Sequence, residues 1–231
     1  HKGIVMWRAF VYKPSSPDRA CQAYEEFMPL DGKFRDNVIV QVKNGPVDFQ
    51  PREPFSPLFG AMRHTQVMPE FQVTQEYLGQ SIHTVFLATM WKDVLSAQTY
   101  HDGETVAAAT LRKVSAQSVS AMAGVANIGD SENWTGSDMA QANWYAFGRL
   151  CWNPDMSAAQ LADEFLKQTF SADEGFVGPM RQVLLRSWDA AVSYMMPYGL
   201  HHIFAGEHHY GPEPWYHPGG DIRLDWLPSY Y

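Results

Sequence analysis

The sequence has 231 residues, a length between one large domain and two small ones. Its hydrophobic content of 45% excludes disorder, and a charged fraction of only 18% points to extensive buried surface. A net charge of −8 argues against a nucleic-acid partner, whose grip on phosphates rests on basic groups, and no apolar stretch approaches the ~20 residues of a membrane span.

In chain order, the run Ile4-Val5-Met6-Trp7-Arg8-Ala9-Phe10-Val11 is nearly continuous in apolar residues and predicts a strand buried on both faces. Residues 18–27 carry a helical pattern through Ala20, Tyr24 and Phe27. A β-branched strand follows over 37–43, and a third strand over 71–75. These strands begin roughly 33 residues apart, the length of a strand–helix unit. Residues 83–91 open either a strand or a helix. The Ala-rich stretch 104–122 predicts a helix, and 124–129 a fourth strand. From about residue 138 the strand rhythm stops, and 139–151, 157–170 and 176–198 predict three helices, the second capped by Ser157. The tail from His201 is crowded with His, Pro, Gly and aromatic residues without a period and predicts an ordered loop region.

Strands alternating with helices call for a parallel sheet covered on both faces. The fold class is therefore α/β, a partial (β/α)8 barrel over residues 1–150 followed by an incomplete helical domain over 151–231. A small doubly wound sheet loses ground, because no G-x-G-x-x-G follows any strand. Half a barrel leaves open edges, so further chain is expected to complete it. The sequence opens at His1 without the charged and apolar regions of a secretory leader. Cys21 and Cys151 stand 130 positions apart and predict two buried free thiols, neither a disulfide framework nor a zinc signature. Asn133-Trp134-Thr135 fits a glycosylation acceptor, a triplet common by chance.

Catalytic groups of a parallel barrel come from the carboxyl ends of its strands. The polar residues there are Arg8, Lys43, Asp48, Glu76 and the Asp130/Glu132 pair. Paired carboxylates suit glycoside hydrolysis, and an Arg with a Lys suits recognition of a carboxylate. Each has a plainer reading. Arg8 could pair with a carboxylate on a neighbouring strand, Lys43 could end its strand in water, Asp48 could cap a turn after Gly45-Pro46, and Glu76 could cap the next helix. Four such residues at strand ends favour a site: a barrel hydrolase acting on an acidic sugar. His201, His202, His208, His209 and His217 offer a rival metal site, but adjacent histidines rarely face one centre, and structural packing is preferred.

Three long segments carry a resemblance. They are 3–12 with Met6-Trp7-Arg8, 30–54 with Gln41-Val42-Lys43-Asn44 and Val47-Asp48-Phe49-Gln50, and 70–79 with Thr74-Gln75-Glu76-Tyr77. Together with the tail words Gly199-Leu200-His201-His202, His208-His209-Tyr210-Gly211-Pro212 and Pro214-Trp215, they resemble the α-glucuronidases of glycoside hydrolase family 67. The resemblance implies an α/β domain, a (β/α)8 barrel and a helical, dimerising C-terminal domain, of which this sequence holds the second half of the barrel and the start of the helices. It implies inverting release of α-1,2-linked (4-O-methyl)glucuronic acid from xylo-oligosaccharides in xylan degradation, without a metal or cofactor. Asp48 and Glu76 match the groups that activate water, and Arg8 and Lys43 those that bind the uronic carboxylate. Trp226 is the first choice as a sugar platform, ahead of Tyr210 and Trp215. The general-acid Glu stands on an earlier strand, outside this sequence, so the segment alone is expected to be inactive. The expected partners are glucuronoxylan-derived oligosaccharides and a second copy of the chain, in a bacterial cytoplasm ahead of a secreted setting. A retaining barrel glycosidase and a non-catalytic sugar-binding or oligomerising piece stay open as alternatives.

Overall fold

The structure, a computed structural model, describes residues 3–11, 18, 20–74, 76–78, 83–130, 132–133, 135, 137–196 and 215. These fall into two compact units, each taken by itself: His1–Phe49, Glu53–Phe71 and Trp91–Val125 form the first, and Gln50–Arg52, Gln72–Met90 and Ala126–Tyr231 the second.

The first unit is built on a four-stranded sheet, β1 (Val5–Arg8), β2 (Val38–Lys43), β3 (Gln66–Gln72) and β4 (Ala123–Val125), in that spatial order. β1 runs parallel to β2 and β2 parallel to β3, as the strand–helix rhythm predicts. The register sets Arg8 beside Gln41 and Lys43 beside Glu70. Since partners in register share a face, Arg8, Gln41, Lys43 and Glu70 all project from one side of the sheet. Val40, Val42, Val67 and Phe71 project from the other and are buried. Phe71 lies against Trp91, ring centroids 5.7 Å apart, in the helix α2 (Ala88–Ser96).

Several expectations shift. β1 is not buried on both faces: all four residues are exposed, Met6 at 67% and Trp7 at 54%, and among the described strands it stands at the end of the sheet order, beside β2. The third strand begins at Gln66, five residues early, and ends at Gln72. Its middle holds Pro69, a residue normally kept out of central strands because it donates no ladder hydrogen bond. The helix α1 covers only Gln22–Phe27, and α3 only Val106–Leu111. Beyond Leu111, Ser115 and Ser118 bond each other's backbone through their hydroxyls, giving the chain an alternative to further helical turns.

The second unit contains the helices α4 (Gln141–Trp152), α5 (Ala158–Thr169) and α6 (Glu174–Met195), close to the predicted spans. Ser157 caps α5 as expected, in a reciprocal pair: its Oγ accepts from the Gln160 backbone N–H at 3.2 Å while Gln160 Oε1 accepts from the Ser157 backbone N–H at 2.9 Å. Arg149 and the Tyr145 hydroxyl bind Glu164 across α4 and α5 and hold its carboxyl below the usual range. Arg181 pairs with Asp163 across α5 and α6. Asn143, fully buried, accepts from the Leu87 amide at 2.8 Å and donates to the Val85 carbonyl at 2.9 Å, while the Phe86 amide reaches Ser187 Oγ. Trp188 donates to the Pro51 carbonyl at 2.7 Å, and the Arg52 guanidinium stacks 4.2 Å above its ring. Cys21 and Cys151 are free thiols, but neither is buried: Cys21 is half-buried and Cys151 exposed. The inward face of α4 is Ala142, Asn143, Ala146 and Leu150, and Cys151 stands about 100° round from Leu150. No helix among the described residues is long and apolar enough to cross a membrane.

Two substitutions test this account by urea or thermal melting. Asn143→Leu should destabilise by roughly 1–3 kcal/mol for each backbone group it deprives of a partner. Ser157→Ala should cost about 0.5–2 kcal/mol, with Ser157→Gly closer to the parent protein. An unchanged melting curve for Asn143→Leu would show that those backbone groups find other partners.

Candidate active site

The carboxyl end of β2 delivers Lys43, 6% exposed, into an ion pair with Asp48. The ammonium also lies 4.3 Å from the centroid of the Phe10 ring and 5.2 Å from that of Phe49, so aromatic faces and a carboxylate share its desolvated charge. The loop between the two charges is shaped by close approach. A Cβ on Gly45 would fall 2.0 Å from the side chain of Glu53, which turns back to accept the Val47 amide at 2.8 Å. After Asp48 the backbone enters the left-handed region at Phe49, φ +52°, a conformation that a bulky residue adopts only under constraint. A cavity of about 100 Å³ opens here, lined by Ala9, Phe10, Lys43, Pro46 and Asp48 among others.

Arg8 leaves the end of β1 and meets Glu70 of β3. Its Nε lies 2.9 Å from Oε2 and 3.1 Å from Oε1, and Nη2 also donates to Oε1. Gln41, on the intervening strand, donates to Oε2. Glu70 is completely buried, whereas 41% of the Arg8 side chain is exposed. The Arg8 guanidinium lies 5.3 Å from the Phe10 ring, the same ring that faces Lys43, so one aromatic side chain borders both cations.

Glu76 opens a short 3-10 turn, Glu76–Leu78, four residues beyond β3. Gln72, the last residue of the strand and buried, clasps it twice: Nε2 donates to Glu76 Oε2 at 2.7 Å and Oε1 accepts the Glu76 amide at 2.9 Å.

Arg8, Lys43, Asp48 and Glu76 therefore all stand at or just past the carboxyl ends of their strands. Lys43 and Asp48 are brought together. Arg8 pairs with a carboxylate, as its plainer reading anticipates, though with one two strands away. Trp226, Tyr210 and the histidines of the tail lie outside the described residues, and Trp215 is exposed. Among the described residues no group of three or more His, Cys, Asp or Glu side chains could hold a metal ion. Sequence reasoning missed Glu53, Glu70 and Gln72. Glu70 was legible only once β3 was extended back through Pro69, which puts it in register with Lys43.

The lysine-held carboxylate of the first unit and the glutamine-held carboxylate of the second, each taken by itself, are of the side-chain type that acid–base chemistry at a sugar uses. Residues 1–134 match the family model of the glycosyl hydrolase family 67 middle domain, and residues 135–230 match that of the family 67 C-terminus. The chain is 42% identical over 228 residues to alpha-glucuronidase A of Emericella nidulans, an alignment covering 93% of this chain and 27% of that protein. It is 39% identical over 222 residues to the alpha-glucuronidase of Hypocrea jecorina, covering 93% and 26%. A probable alpha-glucuronidase A of Aspergillus clavatus is 39% identical over 225 residues, with 93% and 26% covered. The chain thus spans about a quarter of the length of these relatives. With both family models together covering nearly every residue, the chain belongs to glycosyl hydrolase family 67.

Proposed function

We propose that the chain is the part of an α-glucuronidase that binds the uronic carboxylate and activates the hydrolytic water, removing α-1,2-linked (4-O-methyl)glucuronic acid from xylo-oligosaccharides with inversion. One observation carries the reading in this family 67 chain: two cations border a single aromatic ring, and one of them is paired with a strand-end carboxylate. Asp48 and Glu76 are the water-activating carboxylates. Lys43 pairs with Asp48, and Gln72 fixes the direction of Glu76. An inverting hydrolase holds its acid and base ~6.5–9.5 Å apart to admit that water, and its general acid, a Glu of the remaining barrel, lies outside this chain. Arg8 and Lys43 take the sugar carboxylate, with Trp226 as a platform for the ring. Residues 1–150 are the barrel portion and 151–231 a helical domain through which two copies pair.

The test is the full-length protein on aldouronic oligosaccharides, followed by NMR from the first turnovers. Free β-configured glucuronic acid, appearing before mutarotation, is expected. Initial α product would replace inversion by double displacement, and no uronic acid release would overturn the reading. The chain alone should be inactive in the same assay.

Asp48→Ala and Glu76→Ala should each fold and bind substrate while lowering kcat by roughly 10²–10⁴-fold at nearly constant KM. The double variant should be little worse than the poorer single one. A lowered melting point with normal kcat would remove that residue from the catalytic pair.

For the cations, Lys43→Ala should weaken glucuronic acid inhibition by ~1.5–3 kcal/mol, the worth of a charged hydrogen bond. Arg8→Ala should weaken it likewise, and because it also strips the buried Glu70 of its counter-charge, its fold is checked by melting before the inhibition constant is read. Unchanged inhibition in both would remove the clamp.

A further inference from the structure

Glu70 has no solvent-exposed surface, yet it stands at the same level of the sheet as Lys43, beside the strand ends. A carboxylate in that position carries a heavy desolvation cost, and apolar replacements of buried ion pairs are often neutral or stabilising. Stability alone is therefore a weak reason for its presence. What the pairing does provide is direction. Glu70 occupies the Nε–Nη2 edge of Arg8, through Nε at 2.9 and 3.1 Å and through Nη2. A guanidinium is planar, with five N–H groups in a fixed fork, so a carboxylate gripping one edge sets the plane and turns the Nη1 side away from itself. Gln41 holds the carboxylate in turn, from the strand between. The Arg8 side chain is 41% exposed, and Phe10 borders it and Lys43 alike.

We propose that Glu70, braced by Gln41, is a positioning residue that fixes the Arg8 guanidinium so that its outward side receives the substrate's carboxylate. This rests on the reading of Arg8 as a uronate ligand. Glu70 touches neither sugar nor water and acts only through Arg8. Without it the arginine keeps its charge but samples other rotamers, and the second hydrogen bond of a bidentate contact is lost for part of the time.

The test uses the full-length protein, with wild type confirmed to release glucuronic acid. Glu70→Gln keeps the shape and one acceptor but removes the charge. KM for aldouronic substrate and the inhibition constant of glucuronic acid should both rise about tenfold, the scale of one charge-assisted hydrogen bond, with kcat held within about threefold. Inhibition by glucose, which lacks the carboxylate, should stay as in wild type. If Glu70→Gln does not fold, Gln41→Met carries the same test, with the same selective rise about threefold in size. Either variant, folded, with glucuronic acid inhibition unchanged overturns the proposal, as does an equal rise for glucose and glucuronic acid, the mark of general disorder. If wild type itself releases no uronic acid, the proposed function fails before the variants are read.

Discussion

A buried carboxylate has to be answered by donors, and at Glu70 the answer comes from two other strands. Arg8 reaches it from β1 and Gln41 from β2, so one side chain ties three parallel strands together on a single face of the sheet. Backbone ladders set the register, Arg8 beside Gln41 and Lys43 beside Glu70, so that the polar end of each strand is level with the next, and the side-chain tie adds to it. The opposite face is apolar, with Val40, Val42, Val67 and Phe71 buried, which leaves the sheet little freedom to slip.

The loop that follows β2 obeys a different constraint, that of space. Gly45 is a glycine because Glu53 lies where a Cβ would be, and Glu53 lies there because it accepts the Val47 amide. The loop is therefore pinned from inside. Lys43 and Asp48 sit at its two ends, five positions apart, and close it as an ion pair. At β3 the same task falls to a neutral residue, with Gln72 reaching four positions along the chain to hold both the amide and the carboxylate of Glu76.

Much of this was legible in the sequence, for reasons that differ by element. β2 was clear because Val38, Ile39, Val40 and Val42 are β-branched in a short run, and α5 because its cap chemistry is local. Lys43, Asp48 and Glu76 were legible as candidates because each follows a recognisable strand. β3 was read late because Pro69 argues against a strand when the neighbours that bury it are unknown, and with it Glu70 was lost. α3 was read long because alanine-rich propensity is a weak prior against serine side chains that bond the backbone. The apolar content of β1 gave no warning of its exposure, since hydrophobic residues state a preference for burial and not whether a neighbour is there to provide it.

The left-handed backbone at Phe49 carries an evolutionary corollary. A non-glycine residue held there forfeits about 1–3 kcal/mol of folding stability. Glycine or asparagine would tolerate the same turn more easily, so a population of variants screened only for heat resistance would drift toward them at this position. Such variants would lose the ring beside Lys43, and with it one wall of the pocket around the ammonium. Phe49 is thus a place where heat resistance and the wall of the Lys43 pocket pull apart, and directed evolution that scores only survival would give up the second for the first.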